Sequence, residues 1–194
     1  MRQFGELIYT EKIEEIIQEL DAHFFLEGGQ FESFYDELAR EFRQAKVRRA
    51  AHVGGCYDTD PQKVRAQIEG YFTSPEGPGM SFPPKKGSGA PVKGVIAPHI
   101  DLRSGGPCFA WAYKEIAQAS PPDLFVILGT AHQPMKKLFA LTRKDFETPL
   151  GTLQTDQELL EALEKSYSYD FFEDELIHRS EHTIEFQVLF LQTL

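Results

Sequence analysis

Cysteine is scarce in this 194-residue sequence, which contains only Cys56 and Cys108. Neither residue belongs to a CxxC motif or to a cysteine and histidine pattern of zinc-binding type. Two isolated thiols exclude the disulfide framework of a small secreted domain. We expect both cysteines to be free.

Long apolar runs and basic clusters are also missing. No stretch approaches the roughly 20 apolar residues of a membrane-spanning helix, and residues 1–6 lack the apolar core of a signal peptide. The densest basic patch, residues 46–49, is short, and the formal net charge is −10. These features exclude a nucleic-acid or membrane partner, because phosphate backbones bind clustered Lys and Arg. We expect a cytoplasmic protein.

What the sequence does have is enough apolar residues, 41%, for one sizeable core with an appendage. Residues 10–45 carry apolar side chains at spacings of three and four on both sides of a glycine pair at 28–29, which predicts two amphipathic helices joined by a tight turn. We therefore expect an N-terminal helical hairpin, residues 1–46. It would serve as a cap on the main domain or, alternatively, as a partner-binding module.

The remainder, residues 47–194, is predicted to be an α/β domain. Val92–Ala97 and Leu124–Leu128 have the composition of buried strands, and Gly106–Ala117 between them is typical of a helix, so together they predict a βαβ unit. Five prolines and four glycines make residues 73–91 a predicted flexible loop. The expected fold is a mixed, partly parallel sheet flanked by helices. The other predicted elements are a strand at Leu138–Thr142 and helices after Thr155 and from Glu181 onward.

The candidate site begins with two histidines, each just beyond a predicted strand. Because ligands of open α/β sheets bind outside the carboxyl ends of the strands, His99 and His132 are predicted to share one crevice and to form a candidate ligand site. The backbone amides of Ser104, Gly105 and Gly106 are predicted to bind a ligand at the start of the helix that follows.

A third element is the segment EHTIE, where a helix would place His182 and Glu185 on one face. That face could donate a ligand or an acid/base pair. Two imidazoles with Asp101, Glu181 or Glu185 would form a 2-His-1-carboxylate iron site, although the predicted helices do not fit the β-helix fold of the H-x-D oxygenases. A weaker alternative pairs His178 with His182, which lie four residues apart.

From about residue 48 the sequence resembles the N-terminal half of the Memo family, known in bacteria as AmmeMemoRadiSam system protein B. The matching segments occur in the family's order and at similar spacing. They are AAHVGGCYDTDPQKVRAQIEGYF, VIAPHIDLRSGGPCFAWAY, FVILGTAH, ETPLGTLQTD and EHTIEFQVLFLQ.

The resemblance implies a fold like that of class III extradiol ring-cleavage dioxygenases and a site built from histidines at strand ends. His99 and His132 match the family's first two site histidines, and His182 with Glu185 matches its EHSIE segment. The expected cofactor is Fe(II) or another divalent metal, bound by His99, His132 and a residue of the family's C-terminal half, with His182 or Asp101 as the base if the protein is an enzyme. The bacterial family name implies a pathway link to radical-SAM proteins.

The sequence departs from the family pattern in three places. Ile100-Asp101 replaces a common Gly-Tyr, and His132-Gln133 replaces a doubled histidine. The family's C-terminal half, with a further histidine and a site cysteine, has no counterpart. We also expect the apolar end, residues 188–194, to be uncovered and to favour self-association. Two functions therefore stay open: a metal-dependent, dioxygenase-like enzyme, or a non-catalytic protein that binds an anionic peptide or small molecule.

Overall fold

A computed structural model describes residues 9–84 and 87–194 of the chain. The chain divides into two compact units, the first ending at Gln44 and the second spanning Ala45–Leu194. The predicted hairpin also takes in residues 1–8, and the predicted loop takes in residues 85–86. Both stretches lie outside the described residues.

The first unit is a pair of helices, α1 (Thr10–Ala22) and α2 (Gly29–Gln44). They lie where the apolar spacing predicts them. The chain reverses through Phe24, whose positive φ of 62° lies in the left-handed region, and the Phe24 ring stacks on Phe34 with ring centroids 4.8 Å apart. The apolar stripe of α1 stays partly exposed: Ile13, for example, is 46% exposed.

The second unit is built from a small mixed sheet and several helices. Strands β1 (Val47–Arg48) and β2 (Asp145–Thr148) are parallel, and β2 and β3 (Gly151–Leu153) are antiparallel, in the order β1-β2-β3. This confirms the predicted α/β class. In chain order the elements are β1 (Val47–Arg48), α3 (Pro61–Thr73), α4 (Leu102–Gln118), β2 (Asp145–Thr148), β3 (Gly151–Leu153), α5 (Gln157–Ser166), a 3₁₀ helix (Glu175–Arg179) and α6 (Thr183–Leu191).

The strands are not the ones that the sequence predicts. Within the described residues, Val92–Ala97, Leu124–Leu128 and Leu138–Thr142 form neither a helix nor a paired strand. The predicted strands are therefore wrong, and the first two segments are not buried either: Ile96 is 99% exposed, Val126 is 69% exposed and Leu128 is 80% exposed. An apolar, β-branched composition favours an extended backbone, but a strand also needs a second strand to pair with, which composition does not specify.

Aspartate caps set the starts of three helices. The side chains of Asp60, Asp101 and Asp156 each accept a hydrogen bond from a backbone amide in the first turn of α3, α4 and α5. Proline at the first position of α3 confirms that predicted start. The cap at Asp101 makes α4 begin at Leu102 instead of at the predicted Gly106.

The core of the second unit lies between α3, α4 and α6, with Phe190 at its centre. Phe190 has no exposed surface, and its ring centroid lies 5.0 Å from those of both Phe109 and Tyr113. Val188 and Leu189 are equally buried. The expectation of an uncovered apolar C-terminal end is therefore wrong, and the apolar surface that is exposed lies elsewhere.

The predicted loop, residues 73–91, begins at Thr73, the last residue of α3. Its other described residues form no helix or paired strand apart from an isolated bridge at Gly89, but the loop is attached to the core. The backbone amide of Met80 donates to the carbonyl of Phe72 at 3.0 Å, and the rings of Phe72 and Phe82 lie 5.7 Å apart. Farther along, the amide of Gly87 donates to the carbonyl of Ala117 in α4 at 2.9 Å. No helix in the described part of the chain has both the length and the apolar character needed to cross a membrane.

Candidate functional site

Three histidines converge at one edge of the second unit. His99 and His132 each follow an apolar segment without regular secondary structure, and His182 is the N-cap residue of α6. One ring nitrogen from each of the three lies within 4.8 Å of the others. The structure thus brings together the predicted pair, with ring centroids 5.1 Å apart, and adds His182 beside His132 at 4.9 Å.

Glu181 holds this cluster in place. Its carboxylate accepts hydrogen bonds from the backbone amides of His132, His182 and Thr183, at 3.0, 2.8 and 3.1 Å, and lies 3.1 Å from Nδ1 of His132. Burial alone would raise the pKa of Glu181, but the amides and the His132 ring outweigh it and lower the pKa to about 2. A single ionised carboxylate therefore connects the His132 loop to the first turn of α6.

Hydrogen bonds also decide which ring nitrogens can take a ligand. Nε2 of His182 lies 2.7 Å from the carbonyl of His99 and must donate to it, since a carbonyl only accepts. Nδ1 of His182 lies 3.1 Å from Oε1 of Glu181, so this nitrogen can bind a ligand only after the ring turns away from that oxygen. Nδ1 of His132 is occupied by Glu181, so Nε2 is the nitrogen of His132 that can bind a ligand.

A fourth histidine, His52, lies behind the cluster and was not predicted. Its ring packs edge-on against His182, with centroids 5.7 Å apart, and against Phe186 at 5.9 Å. Its Nε2 donates to the carbonyl of Ser180 at 2.9 Å. His52 thus supports the His182 ring from the side. The only signal in the sequence is a lone histidine in a turn, which does not indicate a long-range contact.

Glu185, predicted to bind a ligand, is instead part of the core. Its side chain is 1% exposed, forms an ion pair with Arg48 and accepts a hydrogen bond from the hydroxyl of Tyr57. Backbone amides of Ala51 and His52 donate to its two oxygens at 3.0 Å. Burial and the hydrogen bond to Glu185 raise the pKa of Tyr57. Both carboxylate oxygens are used, so the structure gives Glu185 a structural position.

The predicted ligand cradle at the start of α4 is not available either. The backbone amides of Ser104 and Gly105 donate to the carbonyl of Asp101, at 3.1 and 2.9 Å, because the helix has already begun. The Asp101 side chain caps the same turn by accepting from the amide of Arg103 at 2.8 Å. Gly106 instead allows close packing against Tyr71, because a Cβ at this position would lie 2.4 Å from the Tyr71 ring.

His178 lies outside the cluster. It is buried in the 3₁₀ helix that precedes α6, and its Nε2 donates to the carbonyl of Ala140 at 3.1 Å. Burial lowers the pKa of His178 and outweighs the hydrogen bond to the Ala140 carbonyl, which raises it. The four-residue spacing to His182 does not form a metal-binding pair, because the two residues do not share one helix.

Comparison with known proteins identifies the family. Residues 48–194 match the model of the Memo family, described as Memo-like protein. The chain is 30% identical to a MEMO1 family protein of Aquifex aeolicus over 193 residues, which is all of this chain and 48% of that protein. It is 39% identical to a MEMO1 family protein of Methanothermobacter thermautotrophicus over 148 residues, 75% of this chain and 52% of that protein.

A third relative, from Methanopyrus kandleri, is 35% identical over 147 residues, 75% of this chain and 51% of that protein. The chain thus spans about half the length of the curated relatives that it matches. The matched region contains all three clustered histidines. The chain belongs to the Memo-like protein family.

Proposed function

We propose that His99, His132 and His182 bind a divalent transition-metal ion, with Fe²⁺ as one candidate. The observation that supports the proposal is the convergence of three imidazole nitrogens within 4.8 Å. Imidazole ligands suit Fe, Zn, Cu and Ni, whereas Mg²⁺ and Ca²⁺ prefer oxygen.

The donor set fits such an ion after small side-chain rotations. Metal–nitrogen bonds of about 2.0–2.1 Å place tetrahedral ligand atoms about 3.4 Å apart, so the three nitrogens would have to approach by roughly an ångström. The supporting contacts are those that metal-binding imidazoles usually have: a carboxylate, Glu181, on His132, and a backbone carbonyl on His182. When bound, the ion would supply Lewis-acid chemistry toward a small-molecule or peptide ligand.

A wider proposal, an iron enzyme of dioxygenase type linked to radical-SAM proteins, rests on the family resemblance. In it, His182 or Asp101 would act as the base. The alternative, a non-catalytic protein that binds an anionic ligand through amides, has less support. The amides of Ser104 and Gly105 already donate to Asp101.

Replacing His132 with alanine should weaken Co²⁺ and Fe²⁺ binding by about 100-fold, because one of three ligands is lost. Losing only an outer-shell partner of a metal ligand already weakens binding by about 10–100-fold. Equilibrium dialysis of the 194-residue chain, anaerobic for Fe²⁺, measures the dissociation constant. His23→Ala is the matched control, since His23 is exposed in the first unit and lies outside the cluster. Equal Co²⁺ affinity of wild type and His132→Ala would contradict the proposal.

Replacing Glu181 with glutamine should weaken Co²⁺ binding by about tenfold, because a neutral amide supports the His132 ring less well than a carboxylate. The same dialysis measures it, with Glu161→Gln as the control on the exposed surface of α5. If both variants bind Co²⁺ equally well, Glu181 does not support a metal site.

A further inference from the structure

The spacing between His99 and His132 is not set by a sheet. Both histidines follow segments, residues 92–98 and 124–131, that form no helix or paired strand in the described part of the chain. Strand pairing would fix the distance between two such loops, so another element must do so here. Hydrogen bonds from residues 181–187, at the start of α6, reach both segments.

Thr183 is the contact on the His132 side. It is 1% exposed, and its hydroxyl donates to the carbonyl of Thr130, two residues before His132, at 3.1 Å. The approach is close because residue 129 is glycine: a Cβ on Gly129 would lie 2.5 Å from Oγ1 of Thr183. The helix thus holds the His132 segment through a hydrogen bond that does not involve Glu181.

Gln187 is the contact on the His99 side. Its Nε2 donates to the carbonyl of Pro98 at 2.9 Å, and its Oε1 accepts from the hydroxyl of Tyr113 in α4, also at 2.9 Å. Burial raises the pKa of Tyr113, so that hydroxyl remains a donor. The amide of Gln187 is therefore oriented from both ends, because its Oε1 can only accept and its Nε2 can only donate.

Thr183 and Gln187 lie four residues apart, which places them on one face of α6. Two side chains on the same short stretch of helix hold the two loops at a fixed separation. We propose that Thr183 and Gln187 are positioning residues, which keep His99 and His132 close enough to share one ligand. The identity of that ligand as a divalent metal ion rests on the proposed function, whereas the positioning itself does not need an ion.

Equilibrium dialysis of the 194-residue chain with Co²⁺ tests the effect on binding. Thr183→Val keeps the shape of the side chain but removes the hydroxyl, and Gln187→Met removes the amide. Each substitution should weaken Co²⁺ binding about tenfold, the lower end of the cost of losing an outer-shell partner. Thr183→Ser retains the hydroxyl and should bind Co²⁺ as the wild type does.

The matched control is Gln192→Met, at the C-cap of α6. Gln192 makes the same kinds of contact as Gln187: its Nε2 donates to the carbonyl of Gly151 at 2.9 Å, and its Oε1 accepts from the hydroxyl of Thr148. These contacts lead to β2 and β3 instead of to the histidine segments, so this variant should keep its Co²⁺ affinity. Thermal melting of each variant checks that it is folded.

Hydrogen exchange of the metal-free chain tests the positioning without an ion. The backbone amide of His132 donates to Glu181 at 3.0 Å. It should exchange at least tenfold faster in Thr183→Val than in the wild type or Thr183→Ser, because the segment has lost its second attachment to α6. If this acceleration is found but the wild type binds no Co²⁺, the proposed metal site is wrong and the positioning is supported.

Four results would overturn the proposal. One is unchanged exchange of the His132 amide in Thr183→Val, and another is a wild type that binds Co²⁺ no more tightly than Thr183→Val and Gln187→Met do. A Thr183→Ser protein as impaired as Thr183→Val would show that packing matters and the hydroxyl does not. Equal losses of Co²⁺ affinity in Gln187→Met and Gln192→Met would indicate a general loosening of α6.

Discussion

Replacing Arg48 with methionine should lower the free energy of unfolding by about 3–5 kcal/mol, the usual cost of leaving a buried charge without its partner. The Arg48 side chain is completely buried, pairs with Glu185 and donates to the carbonyls of His178 and Glu181 at 2.8 and 2.7 Å. Methionine fills similar volume but leaves the Glu185 carboxylate buried without a cation. Urea unfolding followed by circular dichroism measures the change.

The matched control is Arg143→Met. Arg143 pairs with Glu164 on the surface, where both side chains are 40% exposed, so its loss should cost at most about 1 kcal/mol. The double variant Arg48→Met/Glu185→Met should be more stable than Arg48→Met alone, because it removes the unpaired charge together with its partner. Equal destabilisation by Arg48→Met and Arg143→Met would show that burial of the pair does not matter.

Replacing Phe190 with alanine should also destabilise the second unit by about 3–5 kcal/mol, through the lost burial of the ring and the cavity left behind. The Phe190 ring is fully buried and stacks on Phe109 with an interplanar angle of 8°. Because α6 begins beside His182, this core contact also anchors the helix that leads into the histidine cluster.

Phe139→Ala is the control for this second substitution. Phe139 is 53% exposed, so the same change of side chain removes little buried surface and should cost less than about 1 kcal/mol. Urea unfolding of both variants gives the comparison. A Phe190→Ala protein as stable as Phe139→Ala would mean that α6 does not depend on its ring contacts.

Local signals in the sequence predicted the helices well. The Asp60-Pro61 pair fixes the start of α3, and the glycines at 28–29 mark the turn before α2, because caps and turns depend on neighbouring residues. The strands could not be predicted in the same way. β1 pairs with β2 across nearly one hundred residues of chain, and neither strand has a long apolar run.

In the candidate site, too, the residues with a local signal could be predicted and those placed by long-range contacts could not. His99 and His132 were predicted because each ends an apolar segment, and the structure brings the two histidines together even though those segments form no paired strands. The roles of Glu181 and Glu185 could not be separated, since both lie near the start of one helix. The difference comes from Arg48, which pairs with Glu185 in the core, whereas Glu181 lies beside the histidines. The Arg48–Glu185 pair is a long-range contact, which the local sequence does not indicate.

The carboxylate of Glu181 has a further consequence for the dynamics of the site. Because it holds the amides of His132, His182 and Thr183 together, the first turn of α6 cannot fray without releasing the His132 loop. Local opening of the helix end and loss of the binding geometry are then one cooperative event. An ion that bridges His132 and His182 would suppress this local opening, so binding of the ion would make α6 more rigid.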